Sequence, residues 1–346
     1  MERYRVCQFS NARSLEKEWD ELAGCYFQKK DFLQYTEQYN PCRQRYYAFF
    51  QGEAMLAGAV VYTLRIDLLT FSHIPSPVSM QVIGLPASVS ASGILGTDKD
   101  AIQQLIHYIL KREHGLILGL NAAQEIDPYP AVSMNMLPGI ELEHTFSNWA
   151  DYLSQLRSPY RRRVMQLQDR FREVETQRTS CQVFTPEHHR LYLDILQRTD
   201  SKLEVLSESF FRNLPDNFYL VSCWQADRLL CWHINCEDEG RLFFFFGGHD
   251  YNLLPEFQSY FNNLLCILRR GIEDGFSVID FGQTAEVPKL KLGASLHPKA
   301  MFLYHRNPLL LWLLRKGKRW ISYRSARPEV HVFKQPLPQA TIISAP

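Results

Sequence analysis

Gly275-Phe276-Ser277-Val278-Ile279-Asp280-Phe281-Gly282-Gln283-Thr284, followed by Pro288-Lys289-Leu290-Lys291-Leu292-Gly293-Ala294, decides how the chain is read. Glu273-Asp274-Gly275 stops a helix whose apolar stripe is Phe257, Phe261, Leu264, Leu265 and Leu268. Phe276 to Phe281 is then an apolar strand that ends on a carboxylate, and Gly282 turns the chain. Upstream, Phe218 to Cys223 and Leu229 to Asn235 form a hairpin across Gln225-Ala226-Asp227. Leu242 to Phe246 is a strand of mostly consecutive aromatics, which Gly247-Gly248-His249-Asp250 breaks. Helical spacing sets Trp149, Tyr152, Leu153 and Leu156 on one stripe. It sets Tyr160, Val164, Leu167, Phe171 and Val174 on a second, and Pro186 leads a third helix.

The same order of elements occurs earlier. Short helices precede a hairpin, Tyr46 to Phe50 and Met55 to Leu64, around Gln51-Gly52-Glu53. A strand over Leu68 to Ile74 leads into a long Pro/Ser/Gly/Ala loop, Pro75 to Thr97, which reads as a lid or binding loop. Asp98 opens a helix with Ile102, Leu105, Ile106 and Ile109, and Leu116 to Leu120 follows as a buried strand. Self-similarity over so long a period predicts a duplicated domain. Each half is expected to be mixed α/β (α+β), a mainly antiparallel sheet entered by a hairpin and flanked by helices. Leu137-Pro138-Gly139-Ile140 reads as the linker, giving domains 1–140 and 141–346, the second with a helical tail.

Composition agrees with two folded domains. The chain has 346 residues, 46% hydrophobic and 22% charged, so it can bury two cores. Lys+Arg number 38 against Asp+Glu 37, which excludes a general electrostatic grip on nucleic acid and an acidic solvating tail. The 8 cysteines are scattered without a Cys-x-x-Cys pair, the pattern of small core hydrophobes in a reducing compartment. The N-terminus lacks a signal-peptide apolar core and no apolar run has the length of a membrane span, so the expected location is cytoplasmic.

Asp280, Gly282, Lys289 and Gly293, with the duplication, resemble the tandem GNAT-type acyltransferases, among them CelD-like acetyltransferases and Fem-type aminoacyltransferases. The second domain of those proteins ends in a strand with Asp-x-Gly and then Lys-x-x-x-Gly. Trp149 to Leu156 followed by Arg161-Arg162-Arg163 resembles the opening of that domain, and Gly247-Gly248-x-Asp250 the break after its central strand. The likeness is tight from about Trp149 to Leu303 and loose before it. It implies two tandem GNAT-like domains. It also implies N-acyl transfer, from an acyl-CoA co-substrate to an amine of a small molecule or a nucleotide- or lipid-linked cell-envelope precursor. The donor carbonyl would lie between two parallel strands that splay apart, where freed backbone N–H groups meet the developing oxyanion. A base must take the amine's proton, and no covalent enzyme intermediate or metal is expected.

On this reading the 141–346 half is the donor and catalytic side and the 1–140 half the acceptor side. Asp280, Lys289 and His249 are the catalytic candidates, and Gly247, Gly248, Gly282 and Gly293 line the donor. Arg161, Arg162 and His73 are the candidate substrate contacts. Each has a plainer alternative: a strand-end cap for Asp280, turn glycines for Gly282 and Gly293, and a solvated helix face for the arginines. The Arg/Gln-x-x-Gly-x-Gly/Ala loop that cradles a coenzyme A pyrophosphate is in neither half. That departure keeps two rivals in play: a Fem-type enzyme using aminoacyl-tRNA on a peptidoglycan precursor, and an inactive binding protein that kept the fold. The stretch 308–320 joins an apolar helix to a basic cluster, and reads either as packed on the second domain or as a peripheral contact with the inner face of the membrane.

Overall fold

The computed structural model describes residues 4–69, 74–87, 89–122, 130–199, 203–324 and 330–336. Its strands are β1 (Tyr4–Phe9), β2 (Arg45–Gln51), β3 (Ala54–Leu69), β4 (Ile74–Ile83), β5 (Ile94–Leu95), β6 (Leu116–Ala122), β7 (Val132–Glu143), β8 (Glu175–Ser180), β9 (Phe218–Gln225), β10 (Arg228–Asp238), β11 (Arg241–His249), β12 (Val278–Asp280) and β13 (Ser295–Tyr304). Its α-helices are α1 (Glu18–Glu21), α2 (Lys30–Tyr39), α3 (Lys99–Arg112), α4 (Trp149–Gln155), α5 (Ser158–Arg170), α6 (Pro186–Arg198), α7 (Glu208–Arg212), α8 (Leu254–Phe257), α9 (Ser259–Glu273), α10 (Glu286–Leu290) and α11 (Pro308–Ile321).

The chain divides into two compact units. The first comprises Met1–Leu137, Thr199–Phe210 and Pro298–Ser325, and the second Pro138–Arg198, Phe211–His297 and Ala326–Pro346. The sequence reading groups 141–346 together, whereas the chain returns to the first unit for 199–210 and again for 298–325, which carries α11. Strand order in the first unit is β1-β2-β3-β4-β6-β13, and among the described residues only β4 and β6 are parallel neighbours. In the second it is β8-β9-β10-β11-β12-β7, and only β11 and β12 are parallel. The two units thus share one order, with a single parallel pair at the same place.

Local chemistry explains most elements. Gly52 takes a positive φ of 61° in the two-residue turn between β2 and β3, and Ala226 does the same between β9 and β10 at 49°. α9 buries Leu264, Leu265, Ile267, Leu268 and Ile272 against Leu142, Leu242 and Ile279, with α4 and α5 in the same core. It closes at Gly275, whose N–H reaches the Ile272 carbonyl while that of Phe276 reaches Gly271. In the first unit, α3 buries Ile102, Leu105, Ile106 and Ile109 against Tyr47, Ile83, Ile117 and Phe302.

Three readings are corrected. Residues 75–83, expected to be loop, belong to β4. β6 joins β4 only from Met80, so Pro75 and Pro77 sit where that side of the strand has no partner and their missing N–H breaks no ladder there. The expected linker 137–140 lies inside β7, where only Glu141–Glu143 pair with β12, leaving Pro138 outside that ladder. The break expected at Gly247-Gly248 is absent, since both glycines pair with β10 opposite His233 and Trp232. Arg161, Arg162 and Arg163 lie together on α5, while Arg178 lies on β8 with its guanidinium 3.8 Å over the Tyr219 ring.

What remains of the loop after β4 is tied down on both sides. The Gly93 carbonyl takes the Val60 N–H of β3, and β5 pairs with Gly58 and Ala59. Asn121 at the end of β6, left-handed at φ 50°, donates through Nδ2 to the carbonyls of Val89 and Ala91. Gly93 packs so closely on Gly84 that a Cβ there would lie 2.4 Å from its backbone. The opening beside β4 and β6 is therefore filled by the chain itself.

Gly119 of β6 faces Phe302 of β13 directly, and a Cβ on it would lie 1.9 Å from that ring. Gly119→Ala is expected to destabilise the chain by about 1–3 kcal/mol through overpacking, with part recovered when Phe302→Leu is added. Urea unfolding of the single and double variants measures this, and an unchanged Gly119→Ala midpoint would refute the fit.

Candidate active site

β11 and β12 pair over only three rows, Arg241 with Val278, Leu242 with Ile279 and Phe243 with Asp280. Beyond Phe243, β11 runs on to His249 along β10 alone, and the β10 register slips so that Ile234 faces Phe246 while Asn235 faces Phe244. Phe245 is the extra residue of a β-bulge, which bends the strand just where β12 leaves it. The result is a fork, with one prong carrying peptide groups that β12 does not pair.

Asp280 stands at the base of the fork. It is buried, and its Oδ1 accepts the Gly282 N–H at 2.6 Å, an Asx turn that ends the strand. Gly282 has φ 69°, which explains the glycine. The next turn holds Thr284 at 68° and Ala285 at 48°. A β-branched residue in the left-handed region is strained, and such strain persists only where the surroundings enforce it.

Lys289, on α10, supplies that enforcement. Its ammonium donates to the carbonyls of Phe281 at 2.6 Å and Gln283 at 2.9 Å, and lies 5.9 Å from the Phe244 ring. Burial pulls its pKa down to about 7, against the opposing pull of the Asp280 and Glu286 charges. Lys289 is therefore a positioning residue that staples the turn after β12. Lys291, its sequence neighbour, caps α10 and is only partly buried.

The sheet face around Asp280 is polar. Its register row is Phe243, Asp280 and Glu141, all buried, and the next row is Arg241, Val278 and Glu143. Arg241 Nη1 binds Glu141 Oε2 at 3.1 Å. The ligand atoms of Glu141, Glu143 and His297 lie within 4.8 Å of one another, but the guanidinium already neutralises Glu141. Glu141, Glu143 and Arg241 escape a motif reading because they come from different strands. The alternation Ile140-Glu141-Leu142-Glu143 is the signal that marks two carboxylates on one face.

The other candidates lie elsewhere. His249 is six residues past the last β11–β12 row, roughly 20 Å along the strand. It is buried against Tyr251 and Tyr260, and burial first, then Arg198, hold its pKa down to about 4 against the pull of Asp250. A Cβ at Gly248 would lie 2.3 Å from the Trp232 indole and 2.9 Å from Leu191, and one at Gly247 would lie 3.0 Å from the Trp232 carbonyl. These glycines make room for β10 and α6. Gly293, at φ 97°, makes room for the Phe333 ring, beside a recess of about 290 Å³ lined by Leu290, Leu296, Val330 and Val332. Arg162 is exposed and Arg161 half-buried on the outer side of α5, whose Val164 and Leu167 face the core. His73 lies outside the described residues.

α9 follows β11, where an acyl-CoA pyrophosphate would need free amides. Its first residue, Ser259, is fully buried behind α8. Leu253 and Phe257 pack on Leu230, Phe171 and Val174, and Arg170 caps the carbonyls of Pro255 and Glu256. The residues present do not form the usual pyrophosphate cradle.

No family model matches the chain, and no curated protein matches it. Among solved structures, L-PGS from Bacillus licheniformis superposes with a TM-score of 0.51 at 12% identity, over 85% of this chain and 97% of that one. FemX gives 0.49 at 11% identity, over 86% and 93%. A tandem GNAT protein from the clavulanic acid biosynthesis pathway gives 0.48 at 9% identity, over 87% and 98%. One strand order, used twice, with one parallel pair in each copy among the described residues, is a tandem GNAT-type fold, and the chain shares that fold with L-PGS from Bacillus licheniformis.

Proposed function

We propose that the chain is an N-acyltransferase that moves an acyl group from a thioester or ester donor to an amine. The fork between β11 and β12, with Asp280 buried at its base, is the observation that carries this reading. The donor carbonyl enters the fork and its oxygen takes N–H groups of the β11 prong. The amine nitrogen bonds to the carbonyl carbon, and the resulting intermediate expels the thiolate or alkoxide. The proton lost by nitrogen passes to Asp280, directly or through one water, and on to the leaving group, so that no atom of the enzyme is changed. Lys289 keeps the turn after Asp280 in its strained form, and most of the rate comes from holding both reactants in place. The acceptor class is an amine of a small molecule or of a nucleotide- or lipid-linked envelope precursor.

Acyl-CoA is the donor the sequence resemblance implies. The closed start of α9 favours a second reading, an aminoacyl ester of tRNA, whose ester carbonyl reaches the fork without a pyrophosphate cradle. The test is turnover of the full chain with a panel of acyl-CoA thioesters and with aminoacyl-tRNA, each with amine acceptors. One donor class is expected to turn over, and Asp280→Asn to lower the rate about 10²–10⁴-fold with substrate binding retained. No turnover with either class, or an Asp280→Asn enzyme as fast as the parent, would leave a binding protein on an acyltransferase fold.

A further inference from the structure

α11 turns an apolar, cationic face to solvent. Leu311, Leu314 and Ile321, at helical spacing, pack into the first unit's core on Tyr62, Leu118 and Met301. Leu309, Leu313, Lys316 and Trp320 follow a line on the opposite side of the helix. Exposure there is unusual for large hydrophobes: Leu309 63%, Leu310 42%, Trp312 51%, Leu313 50% and Trp320 49%. Basic side chains accompany them. Lys316 Nζ lies 5.8 Å over the Trp312 ring and the Arg319 guanidinium 4.4 Å over Trp320. From His305 to Arg324 there is no Asp or Glu, against Arg306, Arg315, Lys316, Lys318, Arg319 and Arg324.

We propose that α11 is an interfacial helix that docks the chain on an anionic lipid surface. Its leucines and tryptophans would enter the boundary between headgroups and acyl chains, and its basic side chains would meet lipid phosphates. Charge selects this occupant. Pairing α11 with a second copy would bring two sets of unneutralised cations together, whereas an anionic leaflet complements them. No described helix is long and apolar enough to cross a membrane, so the contact is one of lying on the surface. The proposal does not depend on the chemistry of the fork.

The experiment is co-sedimentation of the full chain with vesicles of phosphatidylcholine alone and with phosphatidylcholine–phosphatidylglycerol vesicles of about 2:1 composition, at low and high salt. Partition to the anionic vesicles is expected to be at least about tenfold higher and to fall as salt rises. Lys316→Ala with Arg319→Ala should lower it roughly thirtyfold, because each cation near such a surface is worth roughly fivefold. Leu313→Glu with Trp320→Glu should abolish it without changing Tm, since both side chains are half exposed. Absence of binding, equal binding to the two vesicle types, or variants that bind as the parent does would overturn the proposal. So would a concentration-dependent dimer that the Leu313→Glu/Trp320→Glu pair dissolves, which would give the face to a second copy.

Discussion

Lys289→Met is expected to destabilise the second unit by about 3–5 kcal/mol and to lower the proposed transfer by at least about 10²-fold. The substitution keeps the volume and removes the charge. Two carbonyls, Phe281 and Gln283, lose their buried donor, and Asp280 and Glu286 lose the cation between them. Breaking a buried charge cluster by deleting one partner is costly because the other charges stay behind. Adding Asp280→Asn should therefore restore part of the stability and none of the activity, which a double-variant cycle in urea measures. The pH dependence gives a second check. With its folded pKa lowered to about 7, Lys289 has shed its proton above that pH while the unfolded chain keeps one up to about 10.5. The unfolded state then binds more protons, so this residue makes stability rise with pH from about 7 to about 10.5. Buried thiols such as Cys42 and Cys181, raised to about 12, act in the opposite sense over part of that window, so the lysine is read from the difference between parent and Lys289→Met; parallel pH profiles for the two would contradict the buried lysine.

Acidification should have a comparably large effect. His188, His233 and His249 are all buried in the second unit, and burial lowers each to about 4. His188 is held between Thr185 and Ser222, and His233 binds Asn263 at 2.6 Å. Between about pH 6.5 and 4 the unfolded chain takes up protons that the folded one refuses, so stability is complete above about 6.5 and is lost as pH falls to about 4. A shift of this size corresponds to about 3 kcal/mol per histidine. Thermal unfolding from pH 7.5 to 4.5 should show Tm dropping steeply below 6.5, and His233→Gln should flatten the drop. A Tm independent of pH over that range would show that the rings are already charged or solvated.

The sequence carried the fold wherever punctuation and period agreed. Gln51-Gly52-Glu53 and Gln225-Ala226-Asp227 announce hairpins because turn residues interrupt apolar runs. α9 is legible because its leucines repeat at helical spacing. β4 and β7 were hidden by Pro75, Pro77, Pro138 and Gly139, which mean a loop unless one knows that a strand side has no partner. The shared motif of Asp280 and Lys289 sets them either side of one turn, which the structure shows bonded to Lys289. The pairing of Glu141 with Arg241 could not be read from a motif, since it depends on which distant strands become neighbours. Gly247 and Gly248 show the same limit, because a glycine's sequence context does not reveal that an indole from the next strand fills its place. Nothing in the sequence around His188, near the start of α6, reveals that its ring bonds inward to Ser222 of β9.

The wedge that closes the first unit's opening restricts the mutational routes open to this chain. Gly84 and Gly93 touch through their backbones, and Asn121 holds the intervening residues by two carbonyls. Side-chain exchange cannot withdraw main chain, so a groove there requires a change in the backbone at Gly84 and Gly93 themselves. Variants that probe the proposed transfer should accordingly be placed around the fork between β11 and β12, where main chain does not fill the opening in this way.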